Sequence, residues 1–308
     1  MVRGSIPPAA TKIGKMAKII INADDLGVNS KVNSAISNAL REGLITSSTI
    51  LANSDTWEEI HEIVKNNPNA SFGIHLNLTQ GDAITQSNIL QKYGITDKEN
   101  RFTNWRDSTI DFTEELLSAI YEEWDAQVNR VINEQNIPVS HIDGHHHIHT
   151  LDVLQPCLIS LIKKYGIKAV RNKYVKPLSF VFNKKNKPLP YSPCKVKSPT
   201  TEKKVATQSI QKKGANIAQR IVNVFKTRLQ QIKWTRKIKK NFKTTDYFDS
   251  YENIYKDTYN GCALPKNCTI ELMCHPGHEK YEFEYSLIAS KALQSKMSSI
   301  ELINYKDL

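Results

Sequence analysis

The sequence predicts an α/β protein with a parallel sheet, open or closed into a barrel. Three observations carry this. Short apolar runs alternate with helical patterns along most of the 308 residues, the arrangement of consecutive βαβ units. Polar clusters recur where the apolar runs end, at Asp24-Asp25, His75, Asp143 to His149, Arg171 and His275. A β/α barrel gathers such residues on one face, because all its strands point the same way. The hydrophobic content of 40% in a chain of this length is enough for one sizeable core.

The elements follow in order. Lys18 to Asn22 is an apolar run ending in polar residues, as in a buried parallel strand. Asn29 or Ser30 caps a helix with Val32, Ala35, Ile36, Ala39 and Leu40 on one face, and Gly43 ends it. Thr46 to Ala52 is the second strand. Asp55 or Thr56 caps a helix through Val64, stopped before Pro68. Ala70 to Leu78 is the third strand. Thr113 opens a long helix carrying Leu116, Leu117, Ile120, Trp124, Val128 and Val131 at helical spacing. A histidine-rich stretch forms the fourth strand and its loop. Val153 to Lys164 is a helix ended by Gly166, and Ile167 to Arg171 is the fifth strand. Thr269 to Cys274 is the sixth, and Tyr285 to Met297 is a closing helix.

Composition removes several classes. No run of eighteen apolar residues exists, so no membrane-spanning helix is expected. The first residues have a positive charge but no apolar core, unlike a secretory signal. Five cysteines without regular spacing read as reduced thiols in a cytoplasmic setting. Neither a G-x-S-x-G nor a phosphate-loop pattern is present, which disfavours serine hydrolases and nucleotide hydrolases.

The chemistry concentrates in His141-Ile-Asp-Gly-His-His-His-Ile-His149, which holds five of the nine histidines. Imidazoles at short spacing around a carboxylate read as a metal site. Asp24 and Asp25 are adjacent carboxylates, favoured where a cation or a proton offsets their repulsion. His75 and His275 stand at predicted strand ends, the latter before a Pro-Gly turn. Two imidazoles and one carboxylate leave metal positions open for water and substrate. A spare carboxylate can then take a proton and a distant histidine can give one, as amide or ester hydrolysis requires.

Four motifs together resemble the YdjC-like carbohydrate deacetylases: Asn22-Ala-Asp-Asp-Leu-Gly27, Gly73-Ile-His-Leu-Asn-Leu-Thr79, the histidine-rich stretch, and Glu271-Leu-Met-Cys-His-Pro-Gly277. The resemblance spans Lys18 to Arg171 and resumes from Asp246 to Leu302. It implies a distorted (β/α) TIM-like barrel of the glycoside hydrolase/deacetylase type, with a basic insertion after the fifth strand. It implies a divalent metal, magnesium or zinc, and removal of acetate from an N-acetylated sugar. Asp25, His75 and His145 would hold the metal; Asp24 would be the general base and His275 the general acid. Asn77, Asp143, His147, His149 and Arg171 would lie behind the ligands or against substrate. Leu26 stands where the family usually has Phe, and Gly144 where Ser is common. A homodimer is the assembly the resemblance implies.

Residues 1–15 precede the first strand and are expected to be a disordered tail, with one deacetylase domain over 16–308. The basic insertion, about 173–245, contains 20 Lys and Arg against one acid between Lys173 and Lys243. The remainder has 22 basic and 30 acidic residues, so the net +11 conceals a mildly acidic body. Within the insertion, Ala215 to Ile232 places Ile217, Ile221, Val224, Phe225, Leu229 and Ile232 at helical spacing between cations, a basic amphipathic helix. Such a helix suits an anionic membrane on the cytoplasmic face. Nucleic acid is disfavoured, since no recognised binding motif accompanies the charge. The competing functions are a metal phosphoesterase and a non-catalytic sugar-binding protein on the same fold.

Overall fold

The computed structural model describes residues 16–175, 217–259, 264–291, 293, 295 and 300–308. The expected tail and residues 176–216 of the insertion lie outside the described residues.

One parallel sheet organises the molecule. Its strands are β1 (Ala17–Leu26), β2 (Ser47–Ile50), β3 (Ser71–Leu76), β4 (His141–Gly144), β5 (Ala169–Val170), β6 (Tyr247–Ser250), β7 (Thr269–Cys274) and β8 (Ile300–Leu302). Their order is β5-β4-β3-β2-β1-β7-β6. β7 occupies one edge of β1, while β8 and β2 share the other, β8 along residues 17–19 and β2 along residues 22–26. The sheet curls into a half-barrel of the TIM-like kind. Between its end strands, Lys243 bridges to Ala169.

Helices α1 (Ser30–Arg41), α2 (Trp57–Asn66), α3 (Asn88–Lys92), α4 (Glu114–Asn129), α5 (Gln155–Tyr165), α6 (Ile217–Asn241), α7 (Tyr251–Tyr259) and α8 (Glu282–Ala289) accompany the sheet. Local chemistry sets their starts. The Asn29 side chain accepts from the Val32 amide at 2.9 Å, and Thr113 accepts from Leu116 at 3.3 Å. α1 then buries Val32, Ile36, Ala39 and Leu40; α4 buries Leu116, Ile120, Trp124 and Val128. Ile19, Ile20 and Ile21 of β1 are fully buried, as expected when both sheet faces are covered. Truncating a core residue such as Trp124 to Ala costs about 3–5 kcal/mol.

Several boundaries differ from expectation. β1 runs on through Asp24 and Asp25 to Leu26. β5 is two residues long, and the Arg171 amide continues its pairing with β4 by donating to the Ile142 carbonyl. β6 and β8 were not anticipated; each is short and mixed in polarity, without a clear apolar period. α6 continues to Asn241 and packs through buried Trp234 and Ile238, a seam distinct from the expected apolar stripe. Leu229 and Ile232 of that stripe are exposed, and the side chains of its earlier members lie outside the described residues.

Candidate active site

The carboxyl ends of β1, β3, β4 and β7 surround a cleft of about 430 Å³. Asp24 and Asp25 close β1, where pairing with β2 slips between Ala23 and Leu26. Adjacent strand residues ordinarily point to opposite faces. The slip and the left-handed backbone of Asp25 (φ 70°) let both carboxylates line the cleft. Seven described non-glycine residues have such a backbone, and Asp25, His146 and His147 are the ones at the cleft. Strain of this kind concentrates where function holds it in place.

Asp25 is the centre of the floor. Its Oδ1 lies 3.2 Å from His75 Nε2 and 2.9 Å from His145 Nδ1. Its Oδ2 lies 3.1 Å from His278 Nε2. Donor atoms of Asp25, His75 and His145 all fall within 4.8 Å of one another, and all three residues are buried. One carboxylate oxygen and two imidazole nitrogens suit magnesium, manganese or zinc, so the residues fit the expected ion. Behind them, register pairs His75 with Asp143, and His75 Nδ1 lies 2.6 Å from Asp143 Oδ1. A carboxylate there fixes the ring and its tautomer. Thr49 also donates to Asp143, at 3.2 Å. Burial disfavours charge on His75, yet Asp143, Asp25 and Asp24 carry its pKa up to about 10 in the metal-free site.

Arg171 organises the layer below. Fully buried, it donates through Nη1 and Nη2 to both oxygens of Asp24 at 2.7 Å, and through Nε to Glu271 at 2.7 Å. Its Nη1 also lies 2.8 Å from Asp143 Oδ2. Burial alone would raise the Asp24 pKa, but Arg171, with His75 and His275, holds it well below the usual carboxylate range. Burial pushes Glu271 up to about 7 despite Arg171. His275 Nε2 stands 4.0 Å from Asp24 Oδ2, its backbone amide donates to Glu284 at 2.8 Å, and its ring stacks on Tyr281. Burial opposes its charge, while Glu284, Asp24 and Asp25 raise its pKa. The turn that aims it needs Gly277: at φ 84°, a Cβ there would meet Val32 Cα at 2.8 Å.

The structure thus brings Asp24, Asp25, His75, His145 and His275 to one cleft, with His147 on its wall. Asp143 and Arg171 sit immediately behind. His149 does not face the cleft; its Nε2 meets the Arg171 carbonyl at 3.2 Å. It also explains Gly144, whose Cβ would lie 2.9 Å from His149 Nδ1. Asn77 shapes the loop after β3, accepting from the amides of Thr79 and Gln80. Sequence reasoning missed His278, Glu284 and Glu271. His278 had a signal, its position three residues after His275 across a Pro-Gly turn; Glu271 opens the fourth motif but was given no role, and Glu284 had no signal.

A half-barrel of parallel strands with an Asp/His cleft at its carboxyl face belongs to the TIM-like α/β class. The YdjC-like protein profile matches residues 18–303, and the chain belongs to that family. Over 154 residues it is 35% identical to a carbohydrate deacetylase of Brevibacillus brevis, covering 49% of this chain and 57% of that protein. A carbohydrate deacetylase of Vibrio campbellii is 36% identical over 151 residues, with the same two shares. The chain therefore matches less than two thirds of the length of these curated relatives. The crystal structure of an Enterococcus faecalis protein provisionally assigned to cellobiose-phosphate cleavage superposes with a TM-score of 0.62. It covers 95% of this chain and 98% of that one at 20% identity, a likeness of fold.

Proposed function

We propose that this chain is a metal-dependent hydrolase that removes the acetyl group from an N-acetylated sugar, an oligosaccharide or a lipid-linked glycan. One observation carries the reading: Asp24 and His275 face each other across 4.0 Å beside the Asp25, His75 and His145 cluster. A base, an acid and a cation site thus border one small volume. Asp25, His75 and His145 would hold a divalent ion, magnesium or zinc, which would supply a Lewis acid for the acetyl carbonyl and for water. Asp24, kept ionised and aimed by the Arg171 fork, takes a proton from the attacking water. His275, whose charged form is favoured by Glu284 and the two aspartates, gives a proton to the departing nitrogen. Binding alone needs neither group, which disfavours a non-catalytic role. A second metal, as in many phosphoesterases, would need the other grouping of Asp24, His75 and Asp143, but the Arg171 guanidinium already contacts both of its carboxylates.

Contact with an anionic membrane on the cytoplasmic face is part of the proposal. Exposed Leu229 and Ile232 lie among Arg228, Lys233 and Arg236 on α6, which suits an interfacial helix. No helix among the described residues is long and apolar enough to cross a membrane.

Acetate release from N-acetylglucosamine oligomers and from a lipid-linked N-acetylated sugar tests the reading. Release is expected to require added metal and to fall at least about a thousandfold in Asp24→Asn. Release that survives in Asp24→Asn, or phosphate freed from phosphoesters instead, would overturn it.

A further inference from the structure

The segment after β8 crosses the half-barrel at the amino ends of its strands, opposite the cleft. The Ile303 amide donates to the Ile19 carbonyl at 2.9 Å, and the Tyr305 amide to Ser71 Oγ at 3.1 Å. Lys306 Nζ reaches the Ala70 carbonyl at 2.7 Å, and the Asn304 side-chain amide reaches that of Asn69 at 3.0 Å. A capping box between Asn304 and Asp307 holds the turn. Lys243, which bridges the end strands, donates to the Leu308 carbonyl. So anchored, the segment carries the Tyr305 ring, 2% exposed, into the interior beside Ile20 and Ala169.

The ring is seated by its neighbours. It stacks on His141 of β4, with centroids 3.6 Å apart and planes 9° from parallel. Ser140 Oγ lies 2.8 Å from His141 Nδ1, and Gly73 leaves the imidazole its room, since a Cβ there would fall 2.5 Å from it. A stack so confined fixes where the phenol hydroxyl lies. Beyond it stand Glu271 and Arg171. Glu271 Oε1 accepts from Arg171 Nε at 2.7 Å, and the guanidinium forks onto Asp24 at 2.7 Å. Glu271 Oε2 and the Tyr305 hydroxyl are buried, and among the described residues neither has a hydrogen-bond partner of regular geometry. Each acts on the other all the same. Burial raises the Glu271 pKa to about 7 against the pull of Arg171 and Tyr305; burial, then Glu271, raises that of Tyr305. A hydroxyl confined beside a carboxylate with no other acceptor donates to it, because a buried unmet donor is costly.

We propose that Tyr305 is a positioning residue for the general base: its hydroxyl holds Glu271, Glu271 holds the Arg171 guanidinium, and the guanidinium aims Asp24. Tyr305 itself touches neither substrate nor the reacting atoms. The inference rests on the function proposed above in taking Asp24 as the base. A neutral carboxyl is a poorer acceptor for a guanidinium than a carboxylate. The hydroxyl therefore keeps Glu271 ionised and in place, and removing it while keeping the ring slows proton transfer without weakening substrate binding.

The test is Tyr305→Phe, which keeps the stack on His141, in metal-loaded protein. Acetate release from N-acetylglucosamine oligomers is expected to lose about tenfold in kcat below about pH 7, the scale of a hydrogen bond to a charged group, with KM unchanged. The deficit should shrink toward about pH 9, where Glu271 ionises without the hydroxyl. Arg171, Tyr305 and Asp143 are the groups that bear on that carboxyl. Glu271→Gln should lose as much or more, and adding Tyr305→Phe to it should cost nothing further, because the hydroxyl acts through Glu271. A kcat kept at the wild-type level, a loss confined to KM, a deficit equal at both pH values, or an additive double variant overturns the proposal while leaving deacetylation standing. Should the wild type release no acetate, the function proposed above falls, and a carbon-13 NMR titration of the Glu271 carboxyl decides the linkage alone. A higher Glu271 pKa in Tyr305→Phe supports it; an unchanged one overturns it.

Discussion

The cleft floor and helix α6 both concentrate charge, and they do opposite things with it. On the floor Asp24, Asp25, Asp143, Glu271 and Arg171 are buried, and each has a partner within 3 Å or so. On α6 Arg228, Lys233, Arg236, Lys237 and Lys240 are exposed, and the helix is held by Trp234 and Ile238 instead. Burial forces every charge to find a counterpart, so it fixes geometry; exposure leaves charge to solvent or to a partner molecule. The sharpest contrast is between two arginines. Arg171→Met would strand three buried carboxylates, and breaking such a network costs about 3–5 kcal/mol or more. The midpoint of thermal unfolding is expected to fall by roughly 10 °C. Arg236→Met should change stability by less than about 0.5 kcal/mol. Similar melting shifts for the two would erase the distinction.

His278 sharpens the contrast within the floor itself. His75 and His145 approach one oxygen of Asp25, while His278 approaches the other. Removing it should leave the fold intact but free the carboxylate to rotate. His278→Ala is expected to weaken zinc or magnesium binding by about 10- to 100-fold, the usual effect of losing such a support. Isothermal calorimetry on metal-free protein measures it. Unchanged affinity would place His278 on the substrate side only.

Protonation gives a further, smaller handle. In metal-free protein the His75 pKa is about 10, raised from 6.5. Its charged form therefore adds stability that is fully present below pH 6.5 and lost as pH climbs through 10. A bound ion needs the neutral ring, so metal affinity should rise across that same window, by up to about tenfold per pH unit. His75→Gln would remove that slope. A pH-independent affinity in the wild type would mean that His75 does not ligate.

These contrasts also mark what the chain revealed before it was folded. β1 to β4, α1, α2 and α4 were legible because apolar runs, caps and helical spacing are local signals. The reactive set was legible because Asp24-Asp25 and the histidine-rich stretch are dense and sit at strand ends. β6 and β8 were not, since strands of three or four residues owe their pairing to β7 and β1 rather than to any internal pattern. Glu271 and Glu284 looked like ordinary strand and helix acids; only the fold, placing Arg171 and His275 beside them, gives them a role. The backbone reversal at His146 and His147 was equally hidden, because it is the surrounding packing that holds two non-glycine residues left-handed.

α6 shows the same limit from the other side. Its spacing announced a helix, yet the place against the body falls to residues beyond the apolar stripe expected to meet a membrane. Trp234 and Ile238 take that place, with Trp234 edge-on to His149 and Tyr174 beside the cleft's supports. A helix so anchored leaves Leu229 and Ile232 facing outward, 43% and 37% exposed, at no benefit to the fold. Leu229→Ser/Ile232→Ser should therefore shift stability by less than about 0.5 kcal/mol. The same change is expected to lower partitioning onto vesicles rich in anionic lipid, because apolar side chains among cations add to electrostatic attraction at an interface. A large loss of stability would mean that these residues pack against the chain and that α6 is simply part of the body. Unchanged stability with unchanged partitioning would leave charge alone as the helix's contribution.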